Sequence, residues 1–190
     1  MARYKVDQKE QTRDRIIAAA GRCFRKGGYS GIGVDGLAKE AGVTSGAFYG
    51  HFDSKRAAFS AAIVSGLDEV STAISGLQQQ YGNNWWQAFA SFYMNQKRTC
   101  DLTESCALQS LTPEIGRSDE ELRTLFQTEL LKIVDLASGG KEQDVIDRTW
   151  VTLAMLTGGV TLARAVADEK LAKEIAEAVQ TAVIAMQKPE

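Results

Sequence analysis

The sequence predicts an all-α fold: a three-helix unit containing a helix-turn-helix over residues 1–54, then a helical body over residues 55–190. Three observations carry this. Only two prolines, Pro113 and Pro189, occur in 190 residues, so almost nothing interrupts a helix. Apolar residues recur at helical spacing, and alternating β-branched runs are absent. Alanine, leucine, glutamate, lysine and glutamine are abundant, and all are good helix formers. A chain of this length can bury a substantial core, as one domain or two small ones.

Residues 1–8 are polar and read as an arm. Over 9–26 a helix places Ile16, Ala20 and Phe24 on one stripe, joined by Ile17 and Cys23, with Arg15, Arg22, Arg25 and Lys26 opposite. Gly27-Gly28 ends it, because glycine lets the chain leave through left-handed angles. Residues 34–55 then read as two short helices around a turn at Ala41-Gly42-Val43. Asp53 or Ser54 caps a long helix over 55–81, whose apolar positions Phe59, Ile63, Leu67, Val70, Ile74 and Leu77 are spaced 4, 4, 3, 4 and 3. Starting directly after the helix pair, it is a mechanical connection between the two parts. Trp85, Trp86, Phe89, Phe92 and Tyr93 make the next helix aromatic, and 101–116 is less regular around Cys106 and Pro113. Ser118 stands at capping-box spacing from Glu121 and opens a helix through Leu122, Leu125, Phe126 and Leu130 that ends near Gly139-Gly140. Helices over 141–167 and 170–186 complete the chain.

The formal net charge of −2 conceals an asymmetry. Residues 1–56 hold 11 Lys+Arg against 6 Asp+Glu, and residues 57–190 hold 11 against 18. A basic first third suits an anionic partner at one end only. Two short helices joined by a glycine-containing turn have the shape that sets one helix in the DNA major groove. Leu37, Ala38, Ala41 and Val43 face inward, and Phe48 and Phe52 give the second helix its buried side. Gly42 takes the turn position that needs a positive φ. Thr44 caps the second helix, leaving Ser45, Gly46 and Ala47 at the end that meets base edges. Tyr49, His51 and Lys55 supply hydrogen bonds or charge to phosphates, which fix register without reading sequence.

The run GLAKEAGVTSGAFYGHFDSKRAAF, residues 36–59, resembles the N-terminal domain of the TetR family of bacterial transcriptional regulators. The resemblance rests on Leu37-Ala38, Gly42-Val43, Phe48-Tyr49-Gly50-His51-Phe52 and Lys55, with Phe24 and Gly28-Tyr29 before them, and covers about residues 10–60. It implies that Ser45, Gly46 and Ala47 face bases, that Tyr49 and His51 hold the backbone, and that Lys55 contacts a phosphate. One departure stands out: many members carry Ser or Thr before the second helix, where this chain has Ile32 and Gly33. The resemblance further implies a small effector bound by the C-terminal helices, and a homodimer built from the last two. Val145, Trp150, Leu153, Ala154 and Val160, with Leu171, Ile175, Val179, Ala182 and Met186, leave apolar surfaces for that dimer or for the monomer core. Trp85, Trp86, Phe89, Phe92, Tyr93, Cys106, Phe126 and Trp150 are the candidate effector contacts.

The expected function is a ligand-responsive transcriptional regulator, a repressor released from a palindromic operator by its effector. The alternative is a ligand-binding or cysteine-based redox or electrophile sensor without specific DNA readout. Cys100 follows Lys97-Arg98 and suits that alternative better than Cys106, which is flanked by Glu104, Ser105 and Ala107, but both are read as structural. Enzymatic classes are disfavoured: His51 is the single histidine, and there is no metal-ligand cluster, phosphate loop or nucleophile elbow. No cofactor is expected. Three cysteines and a polar start, MARYKVDQKE, point to a reduced, cytoplasmic setting. The longest uncharged run of the second half, 149–163, falls short of the ~20 residues that span a bilayer.

Overall fold

A computed structural model describes residues 2–140 and 142–187, with side chains from Gln8 onward. Among the described residues there is no strand, and the α-helices are α1 (Ala2–Gly27), α2 (Val34–Glu40), α3 (Ser45–Tyr49), α4 (Lys55–Tyr81), α5 (Trp85–Phe92), α6 (Ala107–Ile115), α7 (Glu120–Ser138), α8 (Gln143–Ala165) and α9 (Glu169–Met186). A π-helical turn, Tyr93–Lys97, continues α5. The all-α expectation holds.

The chain divides into two compact units. The first joins Met1–Gly66 to Leu102–Phe126, and the second joins Leu67–Asp101 to Gln127–Glu190. The first therefore contains the expected 1–54 unit, the opening turns of α4, and α6 with the start of α7.

In the first unit Ile16, Ala19, Ala20 and Phe24 of α1 are buried, together with Leu37, Ala38, Phe48, Phe52, Phe59 and Ile63. Phe24 meets the edge of Phe59 with ring centres 4.9 Å apart, an arrangement that adds to simple area burial. On α6, Leu108, Leu111 and Ile115 are buried on one stripe. Gly66 lets α4 and α6 approach, because a Cβ there would collide with that of Ala107.

In the second unit, Trp85, Trp86, Phe89 and Tyr93 are buried with Ile133, Val134, Leu153, Leu156, Val160 and Val183. The glycine pair of α8 splits by face. A Cβ on Gly159 would press on Val179 and Met94, so this glycine lets α8 lie close to α9, whereas Gly158 faces open space. Arg164 caps the π-helical end, donating through Nη2 to the carbonyls of Lys97 (2.6 Å) and Cys100 (2.9 Å). Among the described residues, the stretch 55–97 is long and apolar enough to cross a membrane by length and composition, and 44% of its most apolar part is buried inside the protein. Gly82, at φ 52°, interrupts that stretch.

Three expectations are corrected. The helix of α1 runs back to Ala2 in place of an arm, since no Gly or Pro in this stretch opposes it. Residues 107–115 are helical despite Pro113: proline in the last turn loses one bond while the apolar stripe is still buried. Ser118 is not the cap of α7. Its hydroxyl donates to Ile115 O at 2.6 Å, and Asp119 accepts from Leu122 N instead. Glu121, which a capping box would turn back on the helix start, is drawn to Arg56 at 3.1 Å.

Because Phe24 is fully buried between helices of the first unit, Phe24→Ala is expected to cost about 3–5 kcal/mol of stability. Urea unfolding measures this, and a loss below ~1 kcal/mol would contradict the packing described.

Candidate nucleic-acid interface

The helix pair is built as its residues dictate. Gly33 is the N-cap of α2 in an extended conformation, φ −93°, ψ 173°, without a side-chain cap. Its carbonyl accepts from Leu37 N at 3.1 Å, so α2 starts without the hydroxyl that Ile32 and Gly33 lack. Gly42 turns the chain at φ 66°, a conformation that costs a residue with a Cβ about 1 kcal/mol or more. Val43 N then donates to Ala38 O at 2.9 Å. Thr44 caps α3, its hydroxyl oxygen accepting from Ala47 N at 3.1 Å.

With five residues, α3 is too short to persist alone. Phe48 and Phe52, buried with ring centres 5.8 Å apart, hold it down. The opposite side is free: Thr44, Gly46 and Ala47 are exposed, and Tyr49 is 55% exposed, edge-on to Phe48. Ser45 is half-buried, and its hydroxyl donates to Asp35 Oδ1 at 2.6 Å. His51 is half-buried, and its Nδ1 is buried without a hydrogen-bond partner. Arg13, exposed on α1, lies 4.8 Å from the Phe52 ring centre.

Lys55 is only half-exposed. Its ammonium donates to the carbonyls of Tyr29 (2.9 Å) and Ile32 (3.1 Å) and sits 4.2 Å from the Tyr29 ring centre. Two of its three protons are committed to the loop before α2. Beside it, Arg56 pairs with Asp119 and Glu121. The hydrogen bond from Arg56, then that from Leu122 N, holds the Asp119 carboxyl below the usual range, and the same carboxylates raise Arg56.

Of the aromatic candidates for effector binding, Trp85, Trp86, Phe89 and Tyr93 come together. Trp85 and Trp86 stack at 4.0 Å, Trp86 meets Phe89 at 6.0 Å, and Phe89 meets Tyr93 at 5.6 Å. Phe92 is half-buried, with the Lys97 ammonium 5.8 Å from its ring centre. Trp150 is exposed on α8, and Cys106 and Phe126 belong to the first unit. Burial pushes the Cys23 thiol up, and Glu40 adds to this. Among the described residues no group of three His, Cys, Asp or Glu side chains is placed to hold a metal.

Sequence reasoning missed Asp35, Arg13 and Glu114. Asp35 lies ten positions before Ser45 across a turn, and Glu114 lies 85 positions after Tyr29. No periodic signal joins residues at such distances. The one available hint was the basic character of residues 1–56, which Arg13 shares with ten other side chains.

Residues 16–62 match the family model described as bacterial regulatory proteins, tetR family. The HTH-type transcriptional regulator SrpR of Pseudomonas putida is 43% identical over 65 residues, 34% of this chain and 30% of that protein. AcrR of Shigella flexneri, also an HTH-type transcriptional regulator, is 42% identical over 60 residues, 32% of this chain and 28% of that protein. The match thus spans about a third of the length of these relatives. Among solved structures, Escherichia coli NemR in its reduced form superposes with TM-score 0.77 at 20% identity, over 91% of this chain and 95% of that one. A TetR-family transcriptional regulator from Cytophaga hutchinsonii gives TM-score 0.76 at 20% identity, over 94% and 95%. Residues 16–62 are thus similar to the TetR family of bacterial regulatory proteins, and the chain as a whole has the fold of solved members of that family.

Proposed function

We propose that this protein is a transcriptional repressor that binds a palindromic DNA operator as a homodimer and is released by a small-molecule effector bound in its helical body. The observation that carries the reading is the first turn of α3. There Thr44, Ser45, Gly46 and Ala47 form a small-residue surface, seated by the buried Phe48 and Phe52. A helix end free of bulk can enter the major groove and bring its backbone near base edges. Tyr49 and His51 hold the DNA backbone, while Lys55 adds charge and its one uncommitted proton.

The second copy docks on α8 and α9. Trp150, Val151 and Leu162 are exposed large apolar residues on α8, Leu162 at 61%, and Leu171 is exposed on α9. Ala154 and Gly158 continue the α8 stripe and allow close approach. Leu153 and Val160, which the sequence offered for the same surface, are buried in the protomer. A two-fold interface suits a two-fold operator whose half-sites lie about 34 Å apart. The effector reads the aromatic column of Trp85, Trp86, Phe89 and Tyr93. Its binding favours the protomer arrangement in which the two α3 helices no longer fit adjacent grooves. A sensor module without DNA readout has less support, because Gly33 starts α2 through its carbonyl despite the missing hydroxyl.

Operator selection from random-sequence DNA, followed by gel shift, tests the reading. Tyr49→Ala should weaken binding to all sequences alike, whereas Ser45→Ala or Ala47→Ser should change base preference by about 1–3 kcal/mol at the positions met. The absence of any selected sequence at low salt would end the proposal. Leu162→Glu should convert the dimer to monomer in sedimentation, and an unchanged dimer would remove α8 from the interface.

A further inference from the structure

We propose that Glu114, on α6, is a positioning residue for DNA binding: its carboxylate fixes the first turn after α1 and so aims the helix pair. This rests on the DNA-binding reading above and deepens it by naming a residue outside the helix pair that sets its presentation.

The end of α1 leaves a donor open. Gly28, at φ 70°, closes the helix by donating its N–H to Phe24 O at 2.9 Å. In the fuller form of this ending, the next N–H also returns to a helix carbonyl. Here that next group, Tyr29 N–H, instead donates to Glu114 Oε2 at 2.5 Å. A carboxylate acceptor makes such a bond roughly twice as strong as a neutral one. Gly28 also provides the seat, because a Cβ at that position would overlap Glu114 Oε1.

The other side of the same peptide residue is held from α4. Tyr29 O accepts from Lys55 Nζ, and its ring packs 4.9 Å from Phe59 and 6.0 Å from Phe24. Lys55 reaches on to Ile32 O, immediately before the Gly33 cap of α2. The loop between α1 and α2 is therefore fastened at both ends, by Glu114 and Lys55 at Tyr29 and by Lys55 at Ile32. Arg56 adds a tie from the first turn of α4 to Asp119 and Glu121 at the start of α7. Glu114 lies on α6, apart from the exposed turn of α3, and an anionic side chain gains nothing from a phosphate. Its effect on binding is geometric: it favours the loop conformation that presents α2 and α3 together.

The test uses the full-length protein with Glu114→Ala and Glu114→Gln. Affinity is measured over a range of salt for an operator selected by the wild type and for random-sequence DNA. Glu114→Ala should lose about tenfold on the operator, the size of one charge-assisted hydrogen bond. Its affinity for random DNA, and the slope of log affinity against log salt, should stay at wild-type values, since no phosphate contact is removed. Glu114→Gln keeps an acceptor oxygen and should lose only about threefold on the operator. An operator-to-random ratio at the wild-type value in Glu114→Ala overturns the inference. So does an equal loss on both DNAs that follows a fall in helical circular dichroism, which marks a merely structural residue. If Glu114→Ala does not fold, the Gln variant decides: a wild-type ratio overturns the inference, and a threefold loss on the operator alone supports it. A wild type without any preferred sequence defeats the DNA-binding reading itself, and this inference with it.

Discussion

The first unit depends on a cluster of three rings at the end of α1. Phe24, Tyr29 and Phe59 meet with ring centres 4.9 to 6.0 Å apart. They lock the end of α1 and the loop after it against α4. Aromatic contacts of this kind are directional as well as apolar, so they set the angle between elements as well as holding them together. The Lys55 ammonium completes the cluster over the Tyr29 face, and a cation–π contact that is partly shielded from water is worth about 0.5–2 kcal/mol. The loop from Gly28 to Gly33 is built on that arrangement together with the Glu114 and Lys55 hydrogen bonds, and α2 begins at the residue after it.

Helix α3 shows how little intrinsic stability such an element needs. Five residues of α3 make one turn and a fraction, and nucleation alone would leave it unformed in water. Two buried phenylalanines and one threonine cap supply what propensity does not. The exposed side can then be small and polar without loss of structure. The division of labour is chemical: Phe48 and Phe52 stabilise the helix from its buried side, while Gly46, Ala47 and Tyr49 stay exposed.

The second unit uses small residues differently. Gly159 faces α9 and brings the two helices together, while Gly158, one residue away, faces out among Trp150, Val151, Ala154 and Leu162. A stripe of this kind on a protomer is costly to leave in water. It runs along the length of α8. The acidic balance of residues 57–190 stands against the basic balance of residues 1–56, so the charge that suits a polyanion is concentrated in the first third of the chain.

By itself the sequence determined the helical class, the helix pair and the turns, because these follow from local rules. Apolar spacing of three and four fixes a helical stripe, and Gly28, Gly42, Gly82, Gly139 and Gly140 all take the positive φ that ends a helix or turns the chain. The exposed turn of α3 was legible for the same reason, as a capped start followed by small residues. Tertiary structure alone decided what depends on residues far apart in the chain. It drew Glu121 to Arg56 and made Asp119 the cap in place of Ser118. It committed Lys55 to two loop carbonyls, and it brought Glu114 to the peptide of Tyr29. Charged side chains are long and find partners wherever folding places them, so their roles are set by the packing of the backbone that carries them.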